Sequence, residues 1–391
     1  MKKSLLFILP SLAGGGAEKS LITLLSLIDY SRCDVDLFLF RREGLFLPNV
    51  PREVNIIDGG EGYSSFDGEA SVYIKRCIKT LRFSAAANRI LYSRAVGSGN
   101  RKAVWSALKK ALPRIKKHYD VAVGYLEGNA NYYCVDCVDS DIKIGYVHND
   151  YSKLGLDENF DRPFFEKLDK LVSVSDECCD VLRTVFPALK EKIVKIENIS
   201  SPEALKKLAV GKPAEYADAE GKILLTVGRF SPQKGYDTAV DAAKILKENG
   251  AAFKWFAIGK GELKNRTEEK ISRYGLQDNF ILLGEKSNPY PYIDNCDIYV
   301  QPSNFEGKSI AIDEAKAFSK PIVATRFSTV FDQLTDGETA LLAEIDAADV
   351  AKRIKRLIDD EALCGKLSKT LAETHRGNEE ELEKFYVLLE R

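Results

Sequence analysis

"IYVQPSNFEGKSIAIDEAKAFSKPIVAT", residues 298–325, reads as an apolar strand, a polar loop, a helix starting near Ser309 and a second apolar strand at Ile322–Ala324. Two glutamates eight positions apart, Glu306 and Glu314, fall on either side of the helix start. The same strand, loop and helix order recurs on both sides of this stretch. Around it lie Ile223–Val227, Trp255–Ile258 and Phe280–Leu283; farther upstream lie Leu5–Leu9, Val35–Phe40, Val121–Leu126, Ile142–Val147, Leu171–Val174 and Ile193–Ile196. Short apolar runs alternating with helical or loop segments indicate parallel sheets covered by helices on both faces. The expected class is therefore α/β, with two doubly wound Rossmann-like domains. Ligands of such sheets bind beyond the carboxyl ends of the strands, and two facing sheets would put both sets of ends around a central cleft.

The domain limits follow from where the pattern lapses. Residues 199–220, ISSPEALKKLAVGKPAEYADAE, lose the strand pattern and gain Pro, Ala and charge, which predicts a linker and a candidate hinge for closure on a ligand. The expected domains are 1–198 and 221–375. Residues 376–391 end in EEELEKFYVLLER, an amphipathic helix that could cross back onto the first domain. A chain of 391 residues fits two cores of ordinary size.

With 45% hydrophobic and 29% charged residues, the composition is that of a soluble globular protein. The N-terminal MKKSLLFILPSLAGGG imitates a signal peptide, but its apolar run Leu5–Leu9 stops at Pro10 and reads better as a buried first strand. No run approaches the ~18 apolar residues of a membrane span. The expectation is a protein neither exported nor integral to a membrane. Eight cysteines then read as cytosolic thiols. Cys134 and Cys137 form a lone CxxC without a second pair, and the three histidines (118, 148, 375) are dispersed, so neither redox chemistry nor a His-rich metal site is expected. The Asp34-Val-Asp36 and Asp139-Ser-Asp141 triplets lie in or at the entry of predicted strands and make unconvincing metal clamps.

The net charge of −1 hides an asymmetry: residues 75–117 carry 13 Lys and Arg and no Asp or Glu. Apolar residues including Ile78, Leu81, Phe83, Ile90, Leu91, Trp105 and Leu108 interleave with them, a mixture suited to helices lying on an anionic membrane surface. A solvated helical face is the plainer alternative. No nucleic-acid-binding motif accompanies the patch.

Three loops carry candidate chemistry. In LPSLAGGGAEKS, the glycines 14–16 sit between a strand and a helix, where backbone N–H groups and a positive helix end can meet a phosphate or sugar. The pattern is not GxGxxG, which argues against a dinucleotide enzyme. In LLTVGRFSPQKGYD, Arg229 and Lys234 flank Ser231-Pro232 at a strand end and suit a diphosphate. In the opening stretch, the N–H groups of Gly307, Lys308 and Ser309 would lie at a helix N-terminus, with Glu306 beside a bound sugar. Glu314 would be ~7.5 Å farther along the axis. A ligand touching both glutamates has a sugar at one end and a second polyol, such as ribose, at the other: the dimensions of a nucleotide sugar.

At these residues the chain resembles the retaining glycosyltransferases of family 4, with the GT-B fold. The resemblance rests on the GGGAEKS loop, YVHND (146–150), VSVSDECCDVL (172–182), VGRFSPQKGYD, the NPYPYIDNCDIYVQPSNFEGKSIAIDEAKAFSKPIVAT block and DGETALL. It implies that Arg229 and Lys234 hold the diphosphate, that Glu314 binds ribose hydroxyls and that Glu306 binds donor-sugar hydroxyls near the breaking anomeric bond. It further implies that Gly307, Lys308 and Ser309 offer backbone donors, that Gly15 and Gly16 close over the phosphates, and that His148 points at the reacting sugar or acceptor. Residues near Glu285 and Lys286 would read the base, with uracil favoured over guanine. The implied enzyme is a hexosyltransferase-type retaining enzyme of bacterial surface-polysaccharide assembly. It would transfer from a nucleotide-diphosphate sugar to a glycan hydroxyl, on a lipid-linked intermediate at the cytoplasmic membrane face, without metal or other cofactor. Lys308 departs from the resemblance, which leads one to expect a large apolar residue there, as does ENISS at 197–201. A soluble acceptor, or a silent nucleotide-sugar-binding scaffold subunit, are the competing readings.

Overall fold

The computed structural model describes residues 2–13, 15–66 and 68–390. It divides into two compact units, one of residues 1–196 with 382–391 and one of residues 197–381.

The first unit is built on a seven-stranded parallel sheet of β1 (Lys3–Leu9), β2 (Cys33–Leu39), β3 (Asn55–Asp58), β4 (Tyr119–Gly124), β5 (Ser140–Val147), β6 (Lys170–Ser173) and β7 (Ile193–Lys195). Their spatial order is β3-β2-β1-β4-β5-β6-β7. The central pair is in register at Leu5↔Val121. Leu5 through Leu9 are all fully buried, as expected of a central parallel strand covered on both faces.

The second unit carries a six-stranded parallel sheet of β8 (Lys222–Val227), β9 (Phe253–Ile258), β10 (Phe280–Gly284), β11 (Ile298–Gln301), β12 (Ile322–Thr325) and β13 (Leu341–Ala343), ordered β10-β9-β8-β11-β12-β13. Successive strand residues enter two different cores. Leu224, Trp255 and Val300 pack on one face with Ala239 and Ile354, while Leu225, Phe256 and Tyr299 pack on the other with Ile312 and Ile293. Both cores are apolar, so the strands read as continuous hydrophobic runs rather than alternating ones.

β3 and β13 are absent from the expected strand set. Both are sheet-edge strands of four and three residues. Residues 199–220 differ from the expected linker. They hold the helix Pro202–Leu208 and a 3-10 turn at Ala214–Tyr216, and Tyr216 is buried against Phe256 and Tyr292, with ring centroids 4.7 and 5.6 Å away. One large aromatic is enough to draw a Pro- and Ala-rich segment into a core. The terminal helix Glu381–Leu388 seats Phe385 on Phe7, stacked at 5.9 Å, within the first unit.

The lone CxxC is structural. Cys134 and Cys137 lie on the helix Asn129–Cys137, and burial pushes their thiols up to about 12 and about 11. Lys143 Nζ donates to the carbonyls of Cys134, Val135 and Val138 at 2.7–3.0 Å and so caps the end of that helix. The acidic triplets are likewise engaged: Asp36 accepts from Tyr119, Lys117 and Asn55, and Asp139 lies 3.1 Å from His118.

The basic stretch divides in two. In its second half the apolar side turns inward, with Trp105 and Leu108 buried and Trp105 Nε1 and Lys109 both donating to Asp136, while Arg101, Lys102, Lys110, Arg114, Lys116 and Lys117 stay exposed. Its first half, on the helices Ala70–Lys79 and Phe83–Gly97 and the turn between them, leaves Leu81 75%, Phe83 59% and Leu91 54% exposed among exposed lysines and arginines. Among the described residues no helix is long and apolar enough to cross a membrane.

Candidate functional site

In the second unit the topological switch point lies between β8 and β11, whose chain connections leave in opposite directions. Crevices form there, and both conspicuous loops of this unit emerge from it. After β8 come Gly228, the exposed Arg229 and a 3-10 turn, Pro232–Lys234. Gly235 follows with φ 64°, and a β-carbon on it would lie 1.9 Å from the Pro302 carbonyl oxygen. Only glycine combines that conformation with that approach. The contact presses the β8 loop onto the β11 loop, where Asn304 donates its N–H to Gln233 O at 2.8 Å.

Glu306 sits at this junction with 4% of its surface exposed. Its Oε1 accepts from Lys234 Nζ at 2.6 Å, Ser303 Oγ at 2.6 Å and Gln301 Nε2 at 3.0 Å; its Oε2 accepts from Gln233 Nε2 at 3.1 Å. Thr329 Oγ1 holds the Glu306 carbonyl at 3.1 Å. A buried carboxylate is tolerable only with such a set of donors. Lys234 and Glu306, assigned separate tasks from the sequence, are thus a direct ion pair. Arg229, by contrast, has no side-chain hydrogen bond or ion pair among the described residues. It is the unspent cation at the end of β8.

The helix Ile310–Ala317 starts from this loop with Ser309 as its N-cap. The expected row of three backbone donors is reduced. Ser309 N–H donates to Gln333 Oε1 at 2.8 Å, and Gln333 Nε2 returns a bond to Ser309 O at 2.9 Å. Gly307 and Lys308 remain as candidate backbone donors. The Lys308 side chain turns away into an ion pair with Glu197, and Asp313 lies 3.9 Å from its ammonium. Glu314 is 3% exposed on the helix and accepts from Tyr290 OH at 3.3 Å.

The expected base-reading pair is engaged elsewhere. Glu285 pairs with Lys260 at 2.8 Å. Lys286 pairs with Glu215 at 2.8 Å, a carboxylate that also accepts from Tyr292 OH at 2.9 Å and is held below the usual range by the Lys286 hydrogen bond. Both residues close the segment after β10 onto protein partners rather than presenting free groups.

In the first unit the switch point lies between β1 and β4. Gly15 is the N-cap of the helix Gly16–Leu27, and a β-carbon on it would lie 2.2 Å from Glu18 Oε2, so the Glu18 carboxylate folds back over the helix start. A phosphate closing on Gly15 and Gly16 would have to displace that carboxylate. Gly14 lies outside the described residues. His148, the first residue after β5, is 6% exposed. Its ring lies 5.4 Å from Tyr146, stacked, and 5.0 Å from Tyr125, whose OH is 3.0 Å from Ser20 Oγ. Its N–H donates to Glu127 Oε2 at 3.0 Å, and Asn149 Nδ2 donates to Glu127 Oε1 at 3.0 Å. A cavity of about 540 Å³ opens at the carboxyl ends of β2 and β3, lined by Arg41, Arg42, Asp58, Glu61, Tyr73 and Arg76 among others.

Sequence reasoning missed Gln233, Gln301, Ser303, Thr329, Gln333 and Tyr290. The one local sign was QPS directly after an apolar strand, since a polar residue ending a buried strand needs a partner.

The glycosyl transferases group 1 family profile matches residues 212–375, within the second unit. An uncharacterized glycosyltransferase of Methanocaldococcus jannaschii is 33% identical over 180 residues, 45% of this chain and 48% of that protein. The N-acetylgalactosamine-N,N'-diacetylbacillosaminyl-diphospho-undecaprenol 4-alpha-N-acetylgalactosaminyltransferase of Campylobacter jejuni is 28% identical over 200 residues, 51% of this chain and 49% of that protein. The chain thus spans about half the length of these curated relatives. Among solved structures, Anabaena Alr3699/HepE in complex with UDP-glucose superposes with a TM-score of 0.71 at 15% identity, covering 98% of this chain and 100% of that one. That likeness is one of fold, and the fold is GT-B: two units, each a parallel sheet between helices.

Proposed function

We propose that the chain, whose residues 212–375 match the glycosyl transferases group 1 family profile, transfers a sugar from a nucleoside-diphosphate donor to a glycan hydroxyl with retention at the anomeric carbon. The observation that carries this reading is Glu306, a buried carboxylate at the switch point with four side-chain donors from the β8 loop, the end of β11 and the loop after it. Among the described residues its Oε2 accepts one hydrogen bond, from Gln233, and keeps lone-pair capacity for a sugar hydroxyl. Arg229 and Lys234 are assigned to the diphosphate, Glu314 to the ribose hydroxyls, and Gly307 and Lys308 to backbone contacts. From the first unit, Gly15 and Gly16 are assigned to the phosphates and His148 to the reacting sugar or the acceptor.

In this reading the anomeric C–O bond breaks and its electron pair leaves on the nucleoside diphosphate. The acceptor oxygen attacks from the same face through an oxocarbenium-like state, and its proton passes to the departing phosphate oxygen. Preorganised cations and helix dipoles stabilise the growing phosphate charge, a task for which no metal is required. UDP is the favoured donor nucleotide, a choice supported by the UDP-glucose bound to Anabaena Alr3699/HepE, which shares the fold.

A thermal-shift panel of UDP, GDP and ADP with their sugars, with Mg²⁺ and with EDTA, tests the donor assignment. Nucleotide at a hundred times its Kd adds ~2.7 kcal/mol. A metal-independent rise with UDP, lost in Arg229→Ala and Glu314→Ala, is expected. A wild-type protein indifferent to every nucleotide moves the reading to a scaffold subunit, and a shift that requires Mg²⁺ overturns metal independence.

The acceptor is assigned to a lipid-linked glycan at the cytoplasmic membrane face. The Campylobacter relative, named for a diphospho-undecaprenol acceptor, supports this, as do the exposed Leu81, Phe83 and Leu91 among exposed lysines and arginines. Such a surface suits peripheral binding to anionic lipid. Co-sedimentation with phosphatidylglycerol vesicles, weakened in Leu81→Ser/Phe83→Ser and absent with phosphatidylcholine alone, is expected. Equal recovery of wild type and variant from both vesicles points to a soluble acceptor instead.

A further inference from the structure

We propose that Lys308 is a positioning residue that ties the donor loop Glu306–Gly307 to the two segments by which the chain passes between its units. The assignment of that loop to the donor rests on the reading above. The tie itself rests on contacts within the second unit.

The chain enters that unit at Glu197 and leaves it at Glu381. The entering and leaving segments hydrogen-bond to one another. Glu197 N–H donates to Glu381 Oε2 at 3.0 Å, Ser200 N–H to Asn378 Oδ1 at 2.7 Å, Asn378 N–H to Ser200 O at 3.2 Å, and Asn378 Nδ2 to Asn198 O at 3.1 Å. A β-carbon on Gly377 would lie 2.7 Å from Ser200 O, so the two backbones touch. They form a single double-stranded crossover.

Lys308, two residues beyond Glu306, holds this crossover through Glu197. Its side chain is only 8% exposed, and its ammonium has Glu197 as partner, with Asp313 at 3.9 Å. A buried ammonium cannot give up its carboxylate without a large penalty, so the two groups move together. Any displacement of the Glu306–Gly307 backbone on binding a sugar is therefore passed to Glu197, and from its backbone to Glu381. A large apolar residue at 308 would fill the space without exerting that pull.

The test compares full-length wild type, Lys308→Met, Lys308→Arg and the exchange Lys308→Glu/Glu197→Lys by hydrogen exchange over residues 197–200 and 377–381. The comparison is made without nucleotide and then with whichever of UDP, GDP or ADP raises the wild-type melting temperature. Without nucleotide, Lys308→Met should exchange at the crossover ~10-fold faster, with Lys308→Arg near wild type and the charge exchange partly restored. With nucleotide, wild type should gain protection at the crossover, while Lys308→Met, at nucleotide concentrations that saturate it, should show no such gain. Crossover exchange in Lys308→Met equal to wild type in both states overturns the proposal. So does an equal nucleotide response in the two proteins. If no nucleotide shifts the wild type, the donor reading has failed, and the coupling with it. That outcome is told apart by being visible before any variant is made.

Discussion

Glu306 is the residue on which activity and stability meet. Glu306→Gln keeps the shape but removes the charge that pairs with Lys234, whose own side chain is only 16% exposed. Breaking a buried pair by deleting one partner costs about 3 kcal/mol. Loss of a preorganised electrostatic group at the reacting sugar lowers turnover ~100-fold. Chemical denaturation together with radiolabelled-sugar transfer should show both effects in Glu306→Gln. Arg229→Ala, which removes an exposed cation with no side-chain partner among the described residues, should lose nucleotide affinity with melting unchanged. A variant at Glu306 that transfers normally would remove it from the reaction. The motif spacing made Glu306, Glu314, Arg229 and Lys234 visible as candidates, because each stands near a strand end or helix start. It could not show that Lys234 Nζ and Glu306 Oε1 lie 2.6 Å apart, since 71 residues separate them in the chain.

Two elements carry testable strain or charge. Gly235 ends the 3-10 turn before the helix Tyr236–Glu248 in the left-handed region, against the Pro302 carbonyl. Gly235→Ala should cost at least ~2 kcal/mol, since backbone conformation and contact both oppose the methyl group. Denaturant melts would register the loss, and an unchanged midpoint would mean that the two loops separate freely. His375, at the C-terminal end of the helix Glu361–Thr374, is held neutral. Burial first, then Lys316, with smaller contributions from Lys308 and Lys206, lowers its pKa from 6.5 to about 4, with Asp313 opposing. The unfolded chain therefore takes up a proton near pH 6.5 while the folded chain does so only near pH 4. The stabilising contribution is complete above that window and is lost as pH falls through it. Melting temperatures at pH 7, 6 and 5 should decline more steeply in wild type than in His375→Gln; parallel curves would assign the acid loss to other groups. Element type was legible for every long apolar strand, because burial on both faces forces continuous hydrophobic runs. β3 and β13 were not, because an edge strand of three or four residues needs only one neighbour and carries little pattern; the three-residue edge strand β7 was legible through its Ile193–Ile196 run.

At the scale of the whole molecule, the chain is two units joined by a crossover, with its last helix returned to the first. Phe385 is fully buried against Phe7, the Asp29 N–H donates to Tyr386 OH at 2.7 Å, and Arg32 lies over the Tyr386 ring at 4.4 Å. Truncation after Glu381 should therefore lower the melting of the first unit by several degrees, as expected for the loss of one well-packed aromatic anchor of ~3 kcal/mol. Limited proteolysis should then cleave within residues 1–196 before 197–381. Equal protection of both units would show the helix to be dispensable.

By itself, the sequence determined what depends on neighbours along the chain: the α/β alternation, two sheets of parallel strands, the glycine-bearing turns, and loops at strand ends whose residue types suit an anionic, hydroxyl-rich ligand. Those follow from side-chain periodicity and backbone freedom, which are local. The tertiary structure alone decided which polar groups are spent on one another. It gave Ser309 N–H to Gln333, Lys286 to Glu215, Lys308 to Glu197 and the apolar side of residues 101–112 to the core, while leaving Arg229 without a side-chain partner among the described residues. Buried charges and amides must find partners wherever the fold brings one within reach, and that distance is set by packing among segments far apart in the chain.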